Sequence, residues 1–271
     1  MTEQQAAVSA SPERPGMASA PGSEAPIVVE DVTMAFGDFV VQRDLNFTVK
    51  RGDVFIIMGG SGCGKSTVMR ALIGMQRPAE GRVLLNGQNL WEIDETARQL
   101  LLQRCGVVFQ SGGMWSSMTL AENIGLTLGE YTDLKPKEIL EVARLKLALV
   151  GLAGFEDYYP SEISGGMQRR AGVARALALD PEILFFDEPS AGLDPISSRR
   201  LDELILELRD SLGATIIVVT HELASIFTIA SNSVVLDPDT KTQIATGDPK
   251  WLREHSDNHA VREFLTRGEE T

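Results

Sequence analysis

Residues 54–67 read Val-Phe-Ile-Ile-Met-Gly-Gly-Ser-Gly-Cys-Gly-Lys-Ser-Thr, and the fold of the chain is predicted from this stretch. Its first part, Val54–Met58, is a short apolar run of strand-forming residues, long enough to cross a sheet and too short for a helix. Its second part, Gly59–Ser66, has the spacing of a phosphate-binding loop: a glycine, four residues, a second glycine, a lysine and a serine. The stretch therefore predicts a strand, an anion-binding turn and the start of a helix.

Each residue type in this turn has a chemical reason. Four glycines let the backbone wrap closely around an anion, so that several N–H groups point at it. Lys65 adds a full positive charge near the β- and γ-phosphates, and the Ser66 hydroxyl can hold Mg²⁺. The positive end of the following helix contributes up to about 2 kcal/mol, so the lysine and the metal must carry most of the phosphate charge. A nucleotide site is predicted here.

The composition excludes some classes of partner. The chain has 271 residues, of which 43% are apolar, so it can fill a large core. Its 25 Lys and Arg against 38 Asp and Glu give a net charge of 25 − 38 = −13, which is unsuited to wrapping nucleic acid. Cys63 and Cys105 have neither metal-ligand nor disulfide spacing, which favours a reducing cytosol. The apolar runs are too short to span a bilayer, so a membrane role needs a partner.

A glutamine and a glycine-rich loop follow a short apolar strand predicted at Gly106–Phe109. Beyond Gln110, residues 111–115 read Ser-Gly-Gly-Met-Trp, and this mixture of glycines and large apolar side chains suits a loop that touches a partner. The alternative is a surface loop whose methionine and tryptophan fold back into the core. Residues 120–150 are then predicted to be helical, as an insertion in an α/β chain.

A second anion-binding turn is predicted at Ser164-Gly165-Gly166, where another helix begins. Ser164 is placed to cap that helix. Alone, the pattern also fits an ordinary capped helix, but two phosphate cradles in one chain favour a shared function. Gly172 lies inside the helix and costs about 1 kcal/mol relative to alanine, for which close packing is the only reason that the sequence offers.

Two buried strands further along the chain end in polar residues. Ile183–Phe186 delivers Asp187 and Glu188 at its carboxyl end, where open α/β sheets place ligand-binding groups. Asp187 suits Mg²⁺ and Glu188 suits orienting or deprotonating a water molecule, whereas two solvated acids are the alternative. The strand predicted at 214–219 leads to His221, which is placed either to meet a γ-phosphate or to serve as a structural histidine.

Taken in order, the motifs between residues 27 and 236 resemble those of the nucleotide-binding subunits of ABC transporters. Gly59–Thr67 looks like the Walker A loop, and Gln110 looks like the Q-loop glutamine. Ser164–Gln168 is similar to the signature motif, and Ile183–Glu188 is similar to the Walker B strand. The resemblance covers most of the chain and includes every motif in its expected order.

Further residues continue the resemblance. Ser190–Asp194 is similar to the D-loop and His221 to the switch histidine, while Phe36 resembles the aromatic residue that stacks on adenine. Phe36 alone also fits a core aromatic residue. One departure is Met167, which stands where the signature usually has glutamine. This variant, the Asp-Pro-Ile run at the end of the D-loop and the ending Val-Arg-Glu-Phe-Leu at 261–265 look like the Mla-type ATPases that power MCE lipid transporters.

The resemblance implies an α/β fold, namely a P-loop NTPase of the ABC type. It would have a RecA-like core, an antiparallel β subdomain and a helical subdomain at about 111–165. The ATPase domain would span 27–255, between a disordered N-terminal tail of residues 1–26 and a C-terminal tail of residues 256–271. The N-terminal prediction also rests on composition, because this segment is rich in Ala, Ser, Pro, Glu and Gly and lacks the apolar core of a signal peptide.

The resemblance also implies the cofactors, ATP and Mg²⁺, and the residues of the site. The metal site would comprise Ser66, Gln110 and Asp187. The catalytic residues would be Lys65, Gln110, Glu188 and His221. The nucleotide-binding residues would be Phe36, Gly59, Gly60, Ser61, Gly62, Cys63, Gly64, Lys65, Ser66, Thr67, Ser164, Gly165, Gly166 and Asp194.

One chain has one phosphate loop and one signature turn, whereas in the family each ATP lies between the loop of one copy and the signature of another. The resemblance therefore implies a head-to-tail homodimer with two ATP–Mg²⁺ sites. The other partners would be integral membrane permease subunits and, for the Mla-type match, an MCE-domain lipid-binding protein, with no nucleic acid. The chain would lie at the cytoplasmic face of the inner membrane, held there by the permease.

Two alternative functions stay open at this point. The first is the ATPase of an importer for a small polar solute. The second is a soluble ABC protein that is not coupled to transport, as in translation or DNA repair. Such proteins usually have two sets of motifs or a long coiled coil between the phosphate loop and the signature, and this acidic chain has a single set with one short insertion.

Overall fold

The computed structural model describes residues 25–110 and 112–267, so most of the tail predicted at 1–26 lies outside the described residues. The strands are β1 Ile27–Phe36, β2 Phe39–Val49, β3 Val54–Gly59, β4 Glu80–Leu85, β5 Gln88–Asn89, β6 Cys105–Val108, β7 Ile183–Asp187, β8 Thr215–Val219, β9 Asn232–Leu236 and β10 Gln243–Thr246. The helices are α1 Lys65–Leu72, α2 Glu95–Leu102, α3 Leu120–Tyr131, α4 Pro136–Leu149, α5 Gly165–Ala176, α6 Pro195–Leu212, α7 Leu223–Ile229, α8 Pro249–His255 and α9 His259–Thr266.

The larger sheet has six strands in the order β10-β9-β3-β8-β7-β6. Its strands β9, β3, β8, β7 and β6 run parallel, and β10 pairs antiparallel with β9 at one edge. Every residue of β3 and β8 is buried, as expected for parallel strands covered on both faces. The carboxyl ends of parallel strands meet at one edge, so the loops that follow β3, β6, β7 and β8 gather there.

The two faces of this sheet pack on different layers. On one face, Ile56 and Met58 join a core formed with the helices that follow the loop after β6. On the other face, Phe55 and Ile57 pack toward α1 and a four-stranded antiparallel sheet in the order β2-β1-β4-β5. Phe47 of β2 stacks on Phe55 of β3 with ring centres 5.4 Å apart. The predicted α/β fold with an antiparallel β subdomain is confirmed.

Residues 120–149, within the insertion predicted to be helical at 120–150, contain helices and no strand. The insertion forms two helices, α3 and α4, because the chain leaves the helical conformation at Thr132 and a new helix begins with Pro136 at its first position. Thr119 starts α3 with a capping box, in which its side chain accepts from the N–H of Glu122. Both helices pack on α5, and they lie within the range predicted for the helical subdomain.

The C-terminal segment differs from its prediction as a tail at 256–271. Residues 259–266 form α9, whose Val261, Phe264 and Leu265 are buried in the core. Their spacing places one apolar stripe on an otherwise polar helix, which the overall polarity of the segment obscures. Among the described residues the packed chain therefore continues to the end of α9. No helix within those residues is both long and apolar enough to cross a membrane.

Candidate functional site

The loop predicted to bind phosphate, Gly59–Thr67, connects β3 to α1 and is held by close contacts at both ends. Gly64 adopts a φ of 93°, and a Cβ atom there would lie 2.5 Å from Cγ1 of Val41. Gly59 adopts a φ of 150°, and a Cβ atom there would lie 2.3 Å from the carbonyl oxygen of Leu236. Only glycine fits these two positions, so the loop is fixed between β2 and the end of β9.

A buried glutamine that sequence analysis missed joins this loop to its surroundings. Gln42 on β2 is fully buried, and its Nε2 donates to the carbonyl oxygens of Cys63 at 2.7 Å and Asp237 at 3.0 Å. These bonds connect the phosphate loop with the segment that follows β9. The only signal in the sequence is a polar residue at a strand position. Only the Nε2 group of this amide is satisfied, because Oε1 of Gln42 is buried and has no hydrogen-bond partner among the described residues.

The side chain of Lys65 folds back onto the start of the phosphate loop. Its side chain is buried, and its Nζ donates to the carbonyl oxygens of Gly59 and Gly60 at 3.1 Å each. The neighbouring Cys63 thiol is also buried, and burial raises its pKa although the Lys65 charge acts in the opposite direction. The loop therefore contains one fixed cation beside a neutral thiol.

Ser66 and Asp187 meet across the site although they are far apart in the sequence. The Ser66 hydroxyl donates to Oδ1 of Asp187 at 3.0 Å, which joins the start of α1 to the end of β7. A hydroxyl and a carboxylate are oxygen ligands of the kind that Mg²⁺ prefers. Within residues 25–110 and 112–267, no group of three or more His, Cys, Asp or Glu could hold a metal alone. This donor set fits Mg²⁺, which usually completes its shell with water and substrate phosphates.

Glu188 and His221 form a second pair at the same edge of the sheet. Nδ1 of His221 lies 2.9 Å from Oε1 of Glu188, and the carboxylate side chain is only 14% exposed while the imidazole is 53% exposed. Oε2 of Glu188 is buried and has no hydrogen-bond partner among the described residues. Glu188 also has a φ of 46°, a conformation that non-glycine residues rarely adopt and that is often found at functional sites.

The loop after β6 exposes Gln110 at this edge. Further along the loop, Trp115 is 58% exposed, so it does not fold back into the core, while Met114 packs partly against the core. The buried Asn123 of α3, which sequence analysis missed, anchors the following turn because its Nδ2 donates to three of its carbonyl oxygens. Phe36 is 55% exposed at the turn between β1 and β2, so it is not a core aromatic residue.

The predicted signature turn lies beside the predicted D-loop. Ser164 caps α5 by accepting from the N–H of Met167 at 3.3 Å, and Asp194 caps α6 by accepting from the N–H groups of two residues at 3.0 Å each. Hydrogen bonds from the hydroxyl and N–H of Ser197 lower the pKa of Asp194. A Cβ on Gly166 would lie 3.0 Å from Oγ of Ser197, so the two turns are in contact.

A buried carboxyl lies behind these turns. Asp202 of α6 accepts a hydrogen bond from the Ser225 hydroxyl of α7 at 2.9 Å, and both residues are buried. Burial raises the pKa of Asp202 to about 6, and the charge of Glu203 acts in the same direction. This bond fixes the first turn of α7, which has no side-chain cap of its own and directly follows His221 and Glu222.

The substitution Asp202→Asn is expected to stabilise the protein at pH 8 and much less at pH 4. The pKa of this carboxyl is near 3.8 in the unfolded chain and about 6 in the folded chain. It therefore does not lower the free energy of unfolding at a pH below both values, but lowers it by up to about 3 kcal/mol once it is ionised above pH 6. Thermal unfolding at both pH values measures the difference, at about 2–4 °C per kcal/mol. Asp210→Asn, on the exposed end of the same helix, is the control, and an equal gain at both pH values would contradict the assignment.

The parallel sheet, the glycine loop with its buried lysine and the acidic strand end together define a P-loop ATPase. Residues 42–191 match the ABC transporter family, and the chain belongs to that family. It is an ABC-type ATPase. The predicted resemblance to ABC transporter subunits is confirmed.

Two groups of named relatives refine this result. The chain is 37% identical to the intermembrane phospholipid transport system ATP-binding protein MlaF of Haemophilus influenzae, over 87% of this chain and 89% of the relative. For MlaF of Escherichia coli the identity is 36%, over 88% of this chain and 87% of the relative. The predicted likeness to Mla-type ATPases is thus confirmed. The chain is also 38% identical to the probable ribonucleotide transport ATP-binding protein mkl of Mycobacterium tuberculosis, but spans only 66% of that relative, less than two thirds of its length.

Solved structures of ABC cassettes share the fold. The cbiO1 subunit of the cbiONQ transporter complex of Clostridium perfringens superposes with a TM-score of 0.78 at 26% identity, covering 91% of this chain and 97% of that one. A dimeric cassette in a post-hydrolysis state with ADP and phosphate bound gives a TM-score of 0.73 at 26% identity, covering 81% of this chain and 97% of that one.

Proposed function

We propose that this chain is the ATP-hydrolysing subunit of a transporter for phospholipid or other hydrophobic cargo. Two copies would close head to tail around two ATP–Mg²⁺ and drive a membrane permease. The observation that carries the catalytic part is the Glu188–His221 pair at the edge of the sheet that also holds the phosphate loop. The cargo is inferred from the similarity to MlaF over nearly the whole length of that protein.

Each side chain at the sheet edge would have its own role in phosphoryl transfer. Lys65 carries its charge to the β- and γ-phosphates, exchanging its two carbonyl acceptors for phosphate oxygens. Ser66 and Asp187 would hold Mg²⁺, which neutralises charge on the phosphates when it is bound. The unpartnered Oε2 of Glu188 is the atom that would accept the proton of the attacking water. His221, exposed and bonded to Glu188, would face the γ-phosphate.

The dimer is inferred from the exposed signature turn. Ser164 and Gly165 are exposed at the N-terminus of α5, where backbone N–H groups and the helix dipole favour an anion. Asp194 lies exposed beside them. These groups would meet the γ-phosphate that a second copy holds in its phosphate loop, so the triphosphate bridges the two copies and its cleavage releases them. The dimeric cassette of the same fold supports this arrangement.

The permease would dock on the helical insertion. A groove of about 720 Å³ lies between α3 and α4, and its lining includes the partly apolar turn before α3. Leu126 in this groove and Trp115 beside the glutamine loop are both exposed. An apolar segment of an integral membrane partner fits such a surface and would hold the chain at the cytoplasmic face of the inner membrane. An MCE-domain protein would complete the Mla-type system.

A second candidate is an importer of a small polar solute, since the mycobacterial relative is a probable ribonucleotide transport protein. The partial coverage of that relative makes this the weaker basis for a cargo. Copurification of the tagged full chain from membranes, followed by mass spectrometry of bound proteins and lipids, separates the candidates. We expect a permease and enriched phospholipid, with loss of the permease for Trp115→Ala. A permease with no enriched lipid would contradict the lipid proposal, and no membrane partner would favour the soluble alternative.

A further inference from the structure

The turn that carries Gln110 rests on the backbone of α5. The N–H of Gly112 donates to the carbonyl oxygen of Phe109 at 2.8 Å, which closes a turn around Gln110. A Cβ atom on Gly112 would lie 3.0 Å from the carbonyl oxygen of Gln168. A Cβ atom on Gly172 would lie 2.7 Å from the carbonyl oxygen of Gly112. Both glycines are therefore needed for this close approach between the turn and the helix.

This approach explains the glycine inside α5. A mid-helix glycine costs about 1 kcal/mol relative to alanine, and here an alanine methyl would press on the backbone of Gly112 rather than on a flexible side chain. Gly172 therefore weakens the helix but allows α5 to contact the glutamine turn.

Arg175 lies on the same face of α5 as Gly172, three residues further along, and hydrogen-bonds to the same turn. Its Nη1 donates to the carbonyl oxygen of Gly113, which adopts a φ of 63°. A Cβ on Gly113 would lie 2.8 Å from Nη2 of Arg175, so the guanidinium lies directly against the turn. Burial lowers the pKa of Arg175, and a guanidinium that is partly withdrawn from water needs such an acceptor.

The same helix begins at the residues that, in the proposed dimer, face the nucleotide held by the second copy. Ser164 caps its N-terminus. Arg169 of α5 donates from Nη2 to the carbonyl oxygen of Ala191 at 3.1 Å, within the loop that leads to Asp194. The 12-residue helix α5 therefore contacts the glutamine turn through Gln168, Gly172 and Arg175, and it contacts the loop that leads to Asp194 through Arg169.

We propose that Arg175 and Gly172 are positioning residues that fasten Gln110 to α5, so that the placement of Gln110 at its own ATP depends on the engagement of Ser164 with the other ATP. This inference rests on the proposed function, in which Gln110 senses the γ-phosphate and Ser164 meets the second copy's nucleotide. Movement of α5 would displace the glutamine turn because the backbones of Gly172 and Gly112 are too close for a side chain between them, and because Arg175 bonds the turn to the same helix.

A double-mutant cycle with Gln110→Ala tests the proposal. Steady-state ATP hydrolysis and ATP binding are measured for the full chain and for Gln110→Ala, Arg175→Ala and the combination. We expect Arg175→Ala to lower kcat about 10- to 100-fold through misplacement of Gln110, with ATP affinity within about twofold of wild type. The combined variant should match Gln110→Ala within about twofold, and Gly172→Ala should behave as Arg175→Ala does.

The matched control is Arg170→Ala. Arg170 lies on the same helix and donates to the carbonyl oxygens of Val150 at 2.9 Å and Gly151 at 3.2 Å, away from the glutamine turn. Arg170→Ala should retain nearly the wild-type kcat. Any small reduction in kcat that it causes should be additive with the reduction caused by Gln110→Ala. If the reductions in kcat for Arg175→Ala and Gln110→Ala are additive, Arg175 has a merely structural role. That result would reject this inference but not the proposed function. Wild-type turnover of Gln110→Ala would reject the proposed role of Gln110 and the inference with it.

Discussion

Replacement of Glu188 by glutamine is expected to lower kcat about 100- to 10,000-fold while ATP still binds. The amide has nearly the same shape, and its oxygen can still accept a hydrogen bond from Nδ1 of His221, which lies 2.9 Å away in the wild type. It cannot accept a proton from water, so the γ-phosphate persists. Because the intact triphosphate would bridge two copies, the variant should accumulate as a closed dimer.

Single-turnover phosphate release and light scattering at saturating ATP–Mg²⁺ measure the two effects. Glu222→Gln is the matched control, because Glu222 is an exposed neighbour whose Oε1 lies 3.9 Å from Nε2 of His221. It should hydrolyse ATP at nearly the wild-type rate. Wild-type turnover of Glu188→Gln would show that Glu188 is not the base. An ATP-loaded Glu188→Gln chain that stays monomeric, even with its permease supplied, would contradict the shared site.

Strands could be predicted from the sequence where local pattern and tertiary environment agree. Val54–Met58 and Ile183–Phe186 are continuous apolar runs, and both form strands that are buried on both faces of the sheet. β1 runs from Ile27 to Phe36 but does not keep one unbroken strand pattern over that length. Its pattern is broken by Asp31, which has a φ of 50° at an irregularity in the pairing, and only the ladder with β2 shows that the strand resumes.

The residue types of the site could be predicted because the motif spacing carries their chemistry, whereas the contacts that support them could not. Gln42 and Asn123 are fully buried amides; the partners of Gln42 are carbonyl oxygens of distant segments, and those of Asn123 are backbone groups of the turn just before α3. Nothing in the neighbouring sequence distinguishes such an amide from a solvated one, since its partners exist only in the folded chain. The cost of Gly172 is visible in the sequence, but its reason is the approach of Gly112.

Replacement of Lys65 by alanine should weaken binding of ATP itself, by about 10- to 100-fold, the scale of one charge-assisted hydrogen bond to phosphate. The side chain is only 7% exposed, so its charge acts within the loop and is poorly screened by solvent. The helix N-terminus that remains contributes up to about 2 kcal/mol and usually less, so it cannot replace the lost ammonium. Turnover should fall together with affinity.

Titration with ATP and with ADP tests this expectation, because Lys65 is assigned to the β- and γ-phosphates and its loss should reduce affinity for ATP more than for ADP. Lys137→Ala, at an exposed position on α4, is the control for a general loss of positive charge and should bind both nucleotides like the wild type. Lys65→Ala also removes two hydrogen bonds to the loop, so thermal unfolding without nucleotide must show a folded protein. A folded variant with unchanged affinity for ATP would contradict the assignment of residues 59–67 as the phosphate loop, since no other cation of the loop could then supply the missing charge.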